Sequence, residues 1–519
     1  MKKRKKNLYE TLILCYLACA LPIIKRHTPD NDLYFLIATG REILENGIPY
    51  TNPFHLTDGL EMIVQQWTGC ILDYLVFTNA GNTGLFTLTL IYVAFHLWTT
   101  ISLTGLFTNS KKTKIIILLT TFLGMYPFFN IRGSLLTSAL LMWEVYFLIK
   151  YIRSRKAIYL LSLPLISLII INWQMASWPL IFPIVFMFFL PGKVANITNY
   201  YKEQKKSLGR LLVAVSVSAA AGLINPYGIK GMTYLLNSLG MIDDYVAEFT
   251  NVEANSLSAY LSLYQFAFLI IYCFRKKEKT DLRYVGLSIL ALLLSITIKR
   301  NTWFCLFAIP TTVVAADWLW ENETIKELLK LFLPSKKKGY ICTEIFLWIS
   351  IIILFSLSSH LSYSPANIEY NNRYVPKSAV LYLETVDNKE NIRLMTEFNN
   401  GGYFAWHGYK IYIDARPELY TLRMNKKANI YTEYRKTREN ALYLSAEISK
   451  YGFTHIITQK NTPVYFFMME QDDYKAVLSP KLDYQLFEKI EKQENRELPQ
   501  PQEKQNTTLP INPFQKEFV

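Results

Sequence analysis

Two aspartates near the start of the chain, Asp30 and Asp32, carry the side chains best suited to act as a general base. Arg132, Lys299 and Arg300 lie at the ends of long apolar segments, where a charge costs free energy unless it lines a polar cavity. Such cations bind phosphate or diphosphate, and an aspartate deprotonates a hydroxyl. These residues predict a site for an anionic ligand beside a base. Helix capping by the aspartates and snorkelling of a lone arginine stay open as alternatives.

Polar residues at other segment ends extend the candidate site. The residues expected to bind substrate beside the cations are Gln66, Trp67, Asn172 and Gln174. Asp244 and Glu248, in a later polar loop, are candidates to pair with the cations, to contact the acceptor or to help hold a metal. The alternative for these two acids is a solvated loop without a functional role.

The composition indicates that a membrane positions these residues. Of 519 residues, 51% are hydrophobic and only 18% are charged, whereas soluble proteins average about 25% charged residues. The sequence therefore predicts a mainly α, polytopic membrane protein with about eleven spans. The spans are expected at 8–24, 84–107, 115–131, 134–149, 157–171, 175–190, 209–224, 257–274, 284–298, 302–320 and 340–359.

The distribution of lysine and arginine between these spans indicates their orientation. With a cytoplasmic N-terminus, the cytoplasmic segments hold 27 of these residues and the outer connections hold 7. Cytoplasmic loops retain positive charge, so this orientation is favoured and the candidate site residues lie on the outer face. The net charge of +14 then indicates contact with the lipid bilayer, and no nucleic-acid partner is expected.

Several other chemistries find no support in the sequence. The chain has no phosphate-binding GxxxxGK[ST], no GxSxG and no HExxH motif. Its six cysteines and six histidines show no metal-ligand spacing. Nucleotide hydrolysis and zinc peptidase activity are therefore not expected.

The chain divides into three predicted units. They are a transmembrane domain at 1–359, a small extracytoplasmic α/β domain at 360–490 and a disordered tail at 491–519. Within the first unit, the external loop at 25–83 is expected to carry two helices at the membrane interface, near 32–46 and 60–78. The second unit is predicted to cap the membrane cavity and to select the acceptor.

The periodicity of the α/β unit predicts alternating short elements. Strands are expected at 393–398, 410–414 and 454–458, and helices at 422–435 and 440–451. Gly401 and Gly402 are expected to form a bend between the first two strands. Asp414, Arg416 and Tyr420 are candidate accessory or acceptor residues, and a structural ion pair between Asp414 and Arg416 is the alternative.

These features together resemble the GT-C class of membrane glycosyltransferases, and in particular an uncharacterised bacterial branch of it. The motifs that carry the resemblance are Asp30-Asn-Asp32-Leu-Tyr-Phe, Gly40-Arg-Glu-Ile-Leu-Glu-Asn-Gly-Ile-Pro49, Asn52-Pro-Phe54, Trp67, Asn225-Pro-Tyr-Gly228 and the stretch from Gly401 to Tyr420. The resemblance implies sugar transfer in the bacterial plasma membrane, from a polyprenyl-phosphate donor to an extracytoplasmic acceptor. It implies that a first-loop aspartate is the base. For part of the class, it also implies that a divalent metal such as Mg²⁺ or Mn²⁺ is bound.

The chain departs from this pattern at three positions. Gln66 stands where an acid is expected before Trp67, Asn52 where an aspartate is common, and Leu36 where a histidine often follows the Asp-x-Asp. The replacements remove metal ligands, and so leave metal dependence unknown. A transporter or flippase of an anionic lipid or glycan, and a non-catalytic envelope scaffold, stay open as alternative functions.

Overall fold

The computed structural model describes residues 31–193, 197–238, 251–275, 280–297, 299–323, 375–386 and 388–490, together with a few residues of the first apolar segment between 13 and 24. Several predictions fall outside this part of the chain. They concern Asp30, Asp244, Glu248, the span at 340–359 and the tail at 491–519.

The described part of the chain is mainly helical, as predicted. Its helices up to residue 323 are α1 Asn31–Asn46, α2 Trp67–Gly105, α3 Lys111–Met125, α4 Gly133–Ser154, α5 Ser162–Trp173, α6 Ile181–Met187, α7 Ile197–Ala221, α8 Ile229–Met232, α9 Tyr234–Ser238, α10 Leu257–Phe274, α11 Leu282–Ser295 and α12 Ile309–Glu321. Short 3-10 turns precede several of them, at Ala157–Leu161, Met175–Leu180 and Lys299–Ala308.

Four helices in the described ranges are long and apolar enough to cross a membrane. They are Trp67–Gly105, Gly133–Ser154, Leu257–Phe274 and Asn301–Glu321. Shorter apolar helices lie at Ala157–Trp173, Met175–Met187 and Leu282–Ser295, each at a predicted span. The predicted positions of helical segments thus agree with the structure, whereas the count of eleven spans stays a prediction.

Helix α2 combines a predicted interfacial helix with the span that follows it. Gly81 has φ 56° and ψ −152°, so the backbone is not helical there and the two halves meet at a break. The first half begins at Trp67 rather than near residue 60. The preceding residues pair instead as a short hairpin, in which Asn52 N donates to Leu60 O at 2.8 Å.

The C-terminal unit contains a five-stranded sheet with the order β2-β1-β3-β5-β4. Its strands are β1 Arg393–Met395, β2 Lys410–Ile411, β3 His455–Gln459, β4 Tyr474–Ala476 and β5 Tyr484–Lys489. β1 pairs in parallel with both β2 and β3, and β5 pairs antiparallel with β3 and β4. The three predicted strands are present, and β4 and β5 were not predicted.

Short helices cover this sheet. They are α13 Lys377–Leu383, α14 Gly401–Trp406, α15 Leu422–Asn425, α16 Ile430–Glu439, α17 Tyr443–Tyr451 and α18 Pro463–Met469. The helix predicted at 422–435 is divided, because Lys426 adopts a left-handed φ of 62° and ends α15. The bend predicted at Gly401 and Gly402 is wrong, since both residues lie in α14.

The two glycines of α14 allow close backbone packing. A Cβ atom at Gly401 would lie 1.9 Å from Ile413 O, and one at Gly402 would lie 2.9 Å from Phe35 N in α1. Any side chain at either position would therefore displace α14 from the sheet or from α1. This packing brings the C-terminal unit against the first helix of the described chain.

Residues 47–66, the part of the predicted external loop at 25–83 that we call the first external loop, extend the edge of the sheet. Ile411 N donates to Phe54 O at 2.8 Å, and Leu56 N donates to Ile411 O at 3.1 Å, which forms a parallel bridge between His55 and Ile411. Lys410 Nζ also donates to Pro53 O at 2.6 Å. The loop thus covers the otherwise open edge of β2, where unpaired backbone groups would be exposed.

His55 lies fully buried at this junction. Its Nδ1 accepts a hydrogen bond from Thr57 N at 2.8 Å, and its ring packs against Tyr412, Tyr420 and Tyr451. Removal from water disfavours the charged imidazolium, so burial lowers the pKa of His55 to about 4. The imidazole is therefore neutral in the folded protein at pH 7.

We expect the junction to weaken in mild acid. The unfolded histidine takes up a proton below about pH 6.5 while the native ring stays neutral to about pH 4. The contribution of His55 to stability is thus complete above pH 6.5 and falls as the pH decreases toward 4, by up to about 3 kcal/mol. His55→Asn, which retains an acceptor for Thr57 N, should reduce the loss of thermal stability between pH 7 and pH 5, measured by unfolding in detergent.

The matched control is His407→Asn, because this histidine is only half-buried. It should remove less of the acid sensitivity. If His55→Asn is as sensitive to acid as the unsubstituted protein, His55 is not the group that destabilises the junction in mild acid.

Candidate functional site

An ion pair joins two of the predicted site residues. Asp32 lies in the first turn of α1, and Arg132 immediately precedes α4. Arg132 Nη2 lies 2.8 Å from Asp32 Oδ2, and both side chains remain partly accessible, at 19% and 17%. When the Asn130 side-chain amide is oriented so that both its nitrogen and its oxygen make hydrogen bonds, Arg132 Nε donates to the Asn130 oxygen at 3.2 Å. The predicted cation and the predicted base thus contact each other directly.

The start of α2 meets the turn that follows α5. Trp67 Nε1 donates to Asn172 Oδ1 at 3.1 Å, and Thr68 Oγ1 donates to Asn172 O at 2.7 Å. Met175 N donates to Gln65 O at 2.9 Å. Two segments more than 100 residues apart in sequence are therefore fixed to each other by hydrogen bonds.

Gly133 connects this junction with the ion pair. It follows Arg132 directly, and its carbonyl accepts a hydrogen bond from Trp173 Nε1 at 3.2 Å. A Cβ atom at Gly133 would lie 3.2 Å from Gln66 Oε1 and 3.5 Å from Gln174 Cβ. Arg132, Gln66 and Gln174 therefore surround one glycine, which leaves room for the two glutamine side chains.

The structure thus brings together six of the predicted site residues on one side of the helical region. They are Asp32, Arg132, Gln66, Trp67, Asn172 and Gln174. The sequence predicts them on one face because the distribution of lysine and arginine between the spans assigns all six to the outer connections or the outer ends of spans.

Three further residues at this site were not predicted. Trp173 packs edge-on against Tyr92, with ring centroids 5.8 Å apart. Asp73 is buried and lies close enough to Tyr92 to affect its phenol electrostatically. An acid in the otherwise apolar start of α2 was the signal in the sequence for Asp73, whereas Tyr92 and Trp173 resemble ordinary core residues.

The Asn-Pro-Tyr-Gly motif supports the first external loop. Asn225 Nδ2 donates to Gly222 O at 2.7 Å and to Gly228 O at 3.0 Å, which closes the turn. The Tyr227 hydroxyl donates to Pro49 O at 2.9 Å and accepts from Val64 N at 3.1 Å. The motif thus holds both ends of the loop that leads to Trp67.

Asp414 and Arg416 form an ion pair, the alternative left open by the sequence. Arg416 Nη2 donates to Asp414 Oδ2, and Arg416 Nε lies 3.0 Å from Asp414 Oδ1. Arg416 Nη1 also donates to Thr39 Oγ1 at 3.2 Å, and its guanidinium lies over the ring of Phe35. Asp414 is fully enclosed, so this geometry favours a structural role.

Tyr420 is also fully buried, and its ring packs against His55. Asp414 is likewise fully buried, whereas Arg416 is 8% exposed. The three residues connect the C-terminal unit to α1 and to the first external loop.

Two predicted cations are described only by their backbone. Lys299 and Arg300 begin the 3-10 turn Lys299–Ala308. Their convergence with Arg132 remains a prediction. Asp30, Asp244 and Glu248 lie outside the described residues.

Among the described residues, no group of three or more His, Cys, Asp or Glu side chains is placed to hold a metal ion. The Asp32 carboxylate contacts a guanidinium, Leu36 lies in the apolar core, and Asn52 Oδ1 accepts from Phe54 N at 3.0 Å.

Comparison with solved structures identifies the fold. The Archaeoglobus fulgidus oligosaccharyltransferase in its apo form aligns with a TM-score of 0.55 at 12% identity, over 88% of this chain and 70% of that one. The same enzyme, AglB, in complex with an inhibitory peptide and a dolichol-phosphate gives 0.53 at 10% identity, over 88% and 70%. ArnT from Cupriavidus metallidurans bound to undecaprenyl phosphate gives 0.55 at 8% identity, over 94% and 98%.

No family model and no curated protein sequence matches the chain. The likeness to AglB and ArnT shows a GT-C-like fold, in agreement with the motifs of the sequence. The fold and the four long apolar helices are those of a membrane protein.

Breaking the buried Asp414–Arg416 pair should strongly destabilise the C-terminal unit. Arg416→Gln leaves the Asp414 carboxylate enclosed without its cation, which costs about 3–5 kcal/mol. The double variant Asp414→Asn with Arg416→Gln should recover most of this loss. Thermal unfolding of purified protein measures both.

The matched control removes an exposed pair. Lys230→Gln separates Lys230 from Glu61, whose side chains lie 2.9 Å apart at the surface, and should change stability by less than about 1 kcal/mol. Equal effects of Lys230→Gln and Arg416→Gln would contradict a structural role for the buried pair.

Proposed function

We propose that this protein is an integral membrane glycosyltransferase. It transfers a sugar from a polyprenyl-phosphate-linked donor to an acceptor in the cell envelope, which is a glycan, a lipid or a protein. The observation that carries the proposal is the Asp32–Arg132 pair, an accessible carboxylate held at 2.8 Å from a guanidinium. The same fold in ArnT binds undecaprenyl phosphate, and in AglB it is found with a dolichol-phosphate.

Arg132 holds the donor phosphate in this proposal. A phosphodiester is an anion with two free oxygens, and a guanidinium binds such a group through parallel N–H bonds. The phosphate competes with Asp32 for Arg132, because both are anions that use the same donors. Donor binding therefore releases the Asp32 carboxylate beside the bound sugar.

Asp32 then acts as the general base. It accepts the proton of the acceptor hydroxyl while the hydroxyl oxygen attacks the anomeric carbon of the sugar. The bond between this carbon and the phosphate oxygen breaks, and its electron pair leaves with polyprenyl phosphate. Arg132 stabilises the negative charge that develops on the leaving group.

The remaining assignments rest on the sequence. Lys299 and Arg300 add positive charge for the phosphate, while Asp30 is a second carboxylate next to Asp32. Asp244 and Glu248 approach the acceptor. The site faces the outside of a bacterial plasma membrane, with the N-terminus in the cytoplasm and the C-terminal unit outside. The lopsided distribution of Lys and Arg supports this orientation.

Asp32→Asn tests the proposal, since it keeps the shape of the side chain and removes the base. We expect transfer of label from polyprenyl-phosphate sugars into envelope acceptors to fall about 100-fold or more. Arg132→Gln should instead weaken donor binding and raise the KM for the donor. Both variants are compared in membranes with equal amounts of folded protein.

Glu61→Gln provides the control, because Glu61 belongs to the same external loop but pairs with Lys230 at the surface. It should transfer sugar at the rate of the unsubstituted protein. Full transfer activity of Asp32→Asn would contradict the proposed mechanism. Flux of an intact glycolipid across proteoliposomes without sugar transfer would favour a flippase.

A further inference from the structure

Three polar groups near the Asp32–Arg132 pair have no hydrogen-bond partner in the described part of the chain. Gln65 Oε1, Gln174 Oε1 and the Tyr92 hydroxyl are each enclosed, and each has no partner among the described residues. Tyr92 as a whole is only 8% exposed. Buried polar atoms of this kind are costly in a folded protein unless a ligand or water satisfies them.

The three groups belong to segments of the chain that contact one another. Gln65 and Gln174 are adjacent, because Met175 N donates to Gln65 O at 2.9 Å. Gln174 Cβ would lie 3.5 Å from a Cβ atom at Gly133, the residue that follows Arg132. The Tyr92 ring contacts Trp173, whose Nε1 donates to Gly133 O at 3.2 Å. The polar groups therefore border the site of the ion pair.

Other enclosed polar groups without partners lie elsewhere in the described chain. Gln265 is in the middle of α10, and Tyr409 precedes β2 in the C-terminal unit. Neither has a contact with Gly133, Arg132 or Trp173 in the described hydrogen-bond and ring interactions. These two residues provide matched controls for the groups beside the ion pair.

We propose that Gln65, Gln174 and Tyr92 bind the hydroxyl groups of the transferred sugar, and that this sugar is an uncharged hexose. Amide and phenol groups both donate and accept hydrogen bonds, as sugar hydroxyls do. The rings of Trp173 and Tyr92 offer an apolar surface to the C–H face of a pyranose. This inference rests on the proposed function, since it assigns the sugar end of the same donor.

The charge of the surroundings selects against an acidic sugar. Arg132 is engaged by Asp32 and then by the donor phosphate. Asp73 lies buried close to Tyr92, so the carboxylate of a uronic acid bound there would be repelled. The amides of Gln65 and Gln174 carry no net charge that would offset this repulsion. A neutral hexose meets these conditions.

The test measures ligand binding to the full-length protein by thermal shift and isothermal titration in detergent. The probes are undecaprenyl phosphate, its glucose, mannose and galactose derivatives, and its glucuronic acid derivative. We expect at least one neutral hexose derivative to bind about tenfold or more tightly than undecaprenyl phosphate. We call this gain in affinity over undecaprenyl phosphate the hexose increment. The glucuronic acid derivative should show no such gain.

Tyr92→Phe and Gln174→Met test the assigned groups. Each should reduce the hexose increment about fivefold or more, while binding of undecaprenyl phosphate itself is unchanged. Each should also leave the melting temperature of the free protein equal or higher, because a polar group without a partner is removed. The controls Tyr409→Phe and Gln265→Met should keep the full hexose increment.

The outcomes separate this inference from the proposed function. If undecaprenyl phosphate binds but no hexose derivative binds more tightly, or if both site variants keep the increment, the sugar assignment is overturned and the proposed function stands. If neither undecaprenyl phosphate nor any derivative binds, the proposed function is overturned and the sugar assignment with it. A lower melting temperature of both site variants with an unchanged increment would indicate a purely structural role.

Discussion

The fixed position of the first external loop is the constraint on which the site depends. Ile411 N donates to Phe54 O and Leu56 N donates to Ile411 O, which fixes the loop against the sheet, and Tyr227 holds the two ends of the loop. Trp67 follows directly at the start of α2. A loop without these contacts would be mobile, and it would not hold Trp67 and Gln65 within hydrogen-bond distance of a distant turn.

Two arginine–aspartate pairs of similar chemistry occupy different environments. The Asp414–Arg416 pair is enclosed, has additional partners in Thr39 and Phe35, and fixes the C-terminal unit against α1. The Asp32–Arg132 pair is partly open to solvent and lies at the ends of two helices. An accessible pair can exchange one partner for a ligand at low cost, whereas separating an enclosed pair leaves a buried charge without its partner and costs several kcal/mol. The difference in burial therefore separates the structural pair from the candidate functional one.

The sequence predicted the positions of the described helical segments and six candidate residues that lie close together, but not the contacts among them. Long apolar segments give a strong signal, and the helix at 257–274 has the predicted bounds. Asp32 and Arg132 were recognisable because a charge beside an apolar segment is unusual. The role of Gly133 and the burial of Asp414 depend on packing between distant segments, for which local periodicity carries no information. The bend predicted at Gly401 failed for a related reason, because a glycine required by close packing resembles a glycine required by a turn.

The central claim is that the donor phosphate takes the place of Asp32 on Arg132. The most direct measurement is an experimental structure of the full chain with undecaprenyl phosphate bound. The account predicts that a phosphate oxygen lies within about 3 Å of the Arg132 guanidinium, and that the Asp32 carboxylate has separated from it to face the position of the sugar. A phosphate bound elsewhere, with the Asp32–Arg132 pair still at 2.8 Å, would contradict the account.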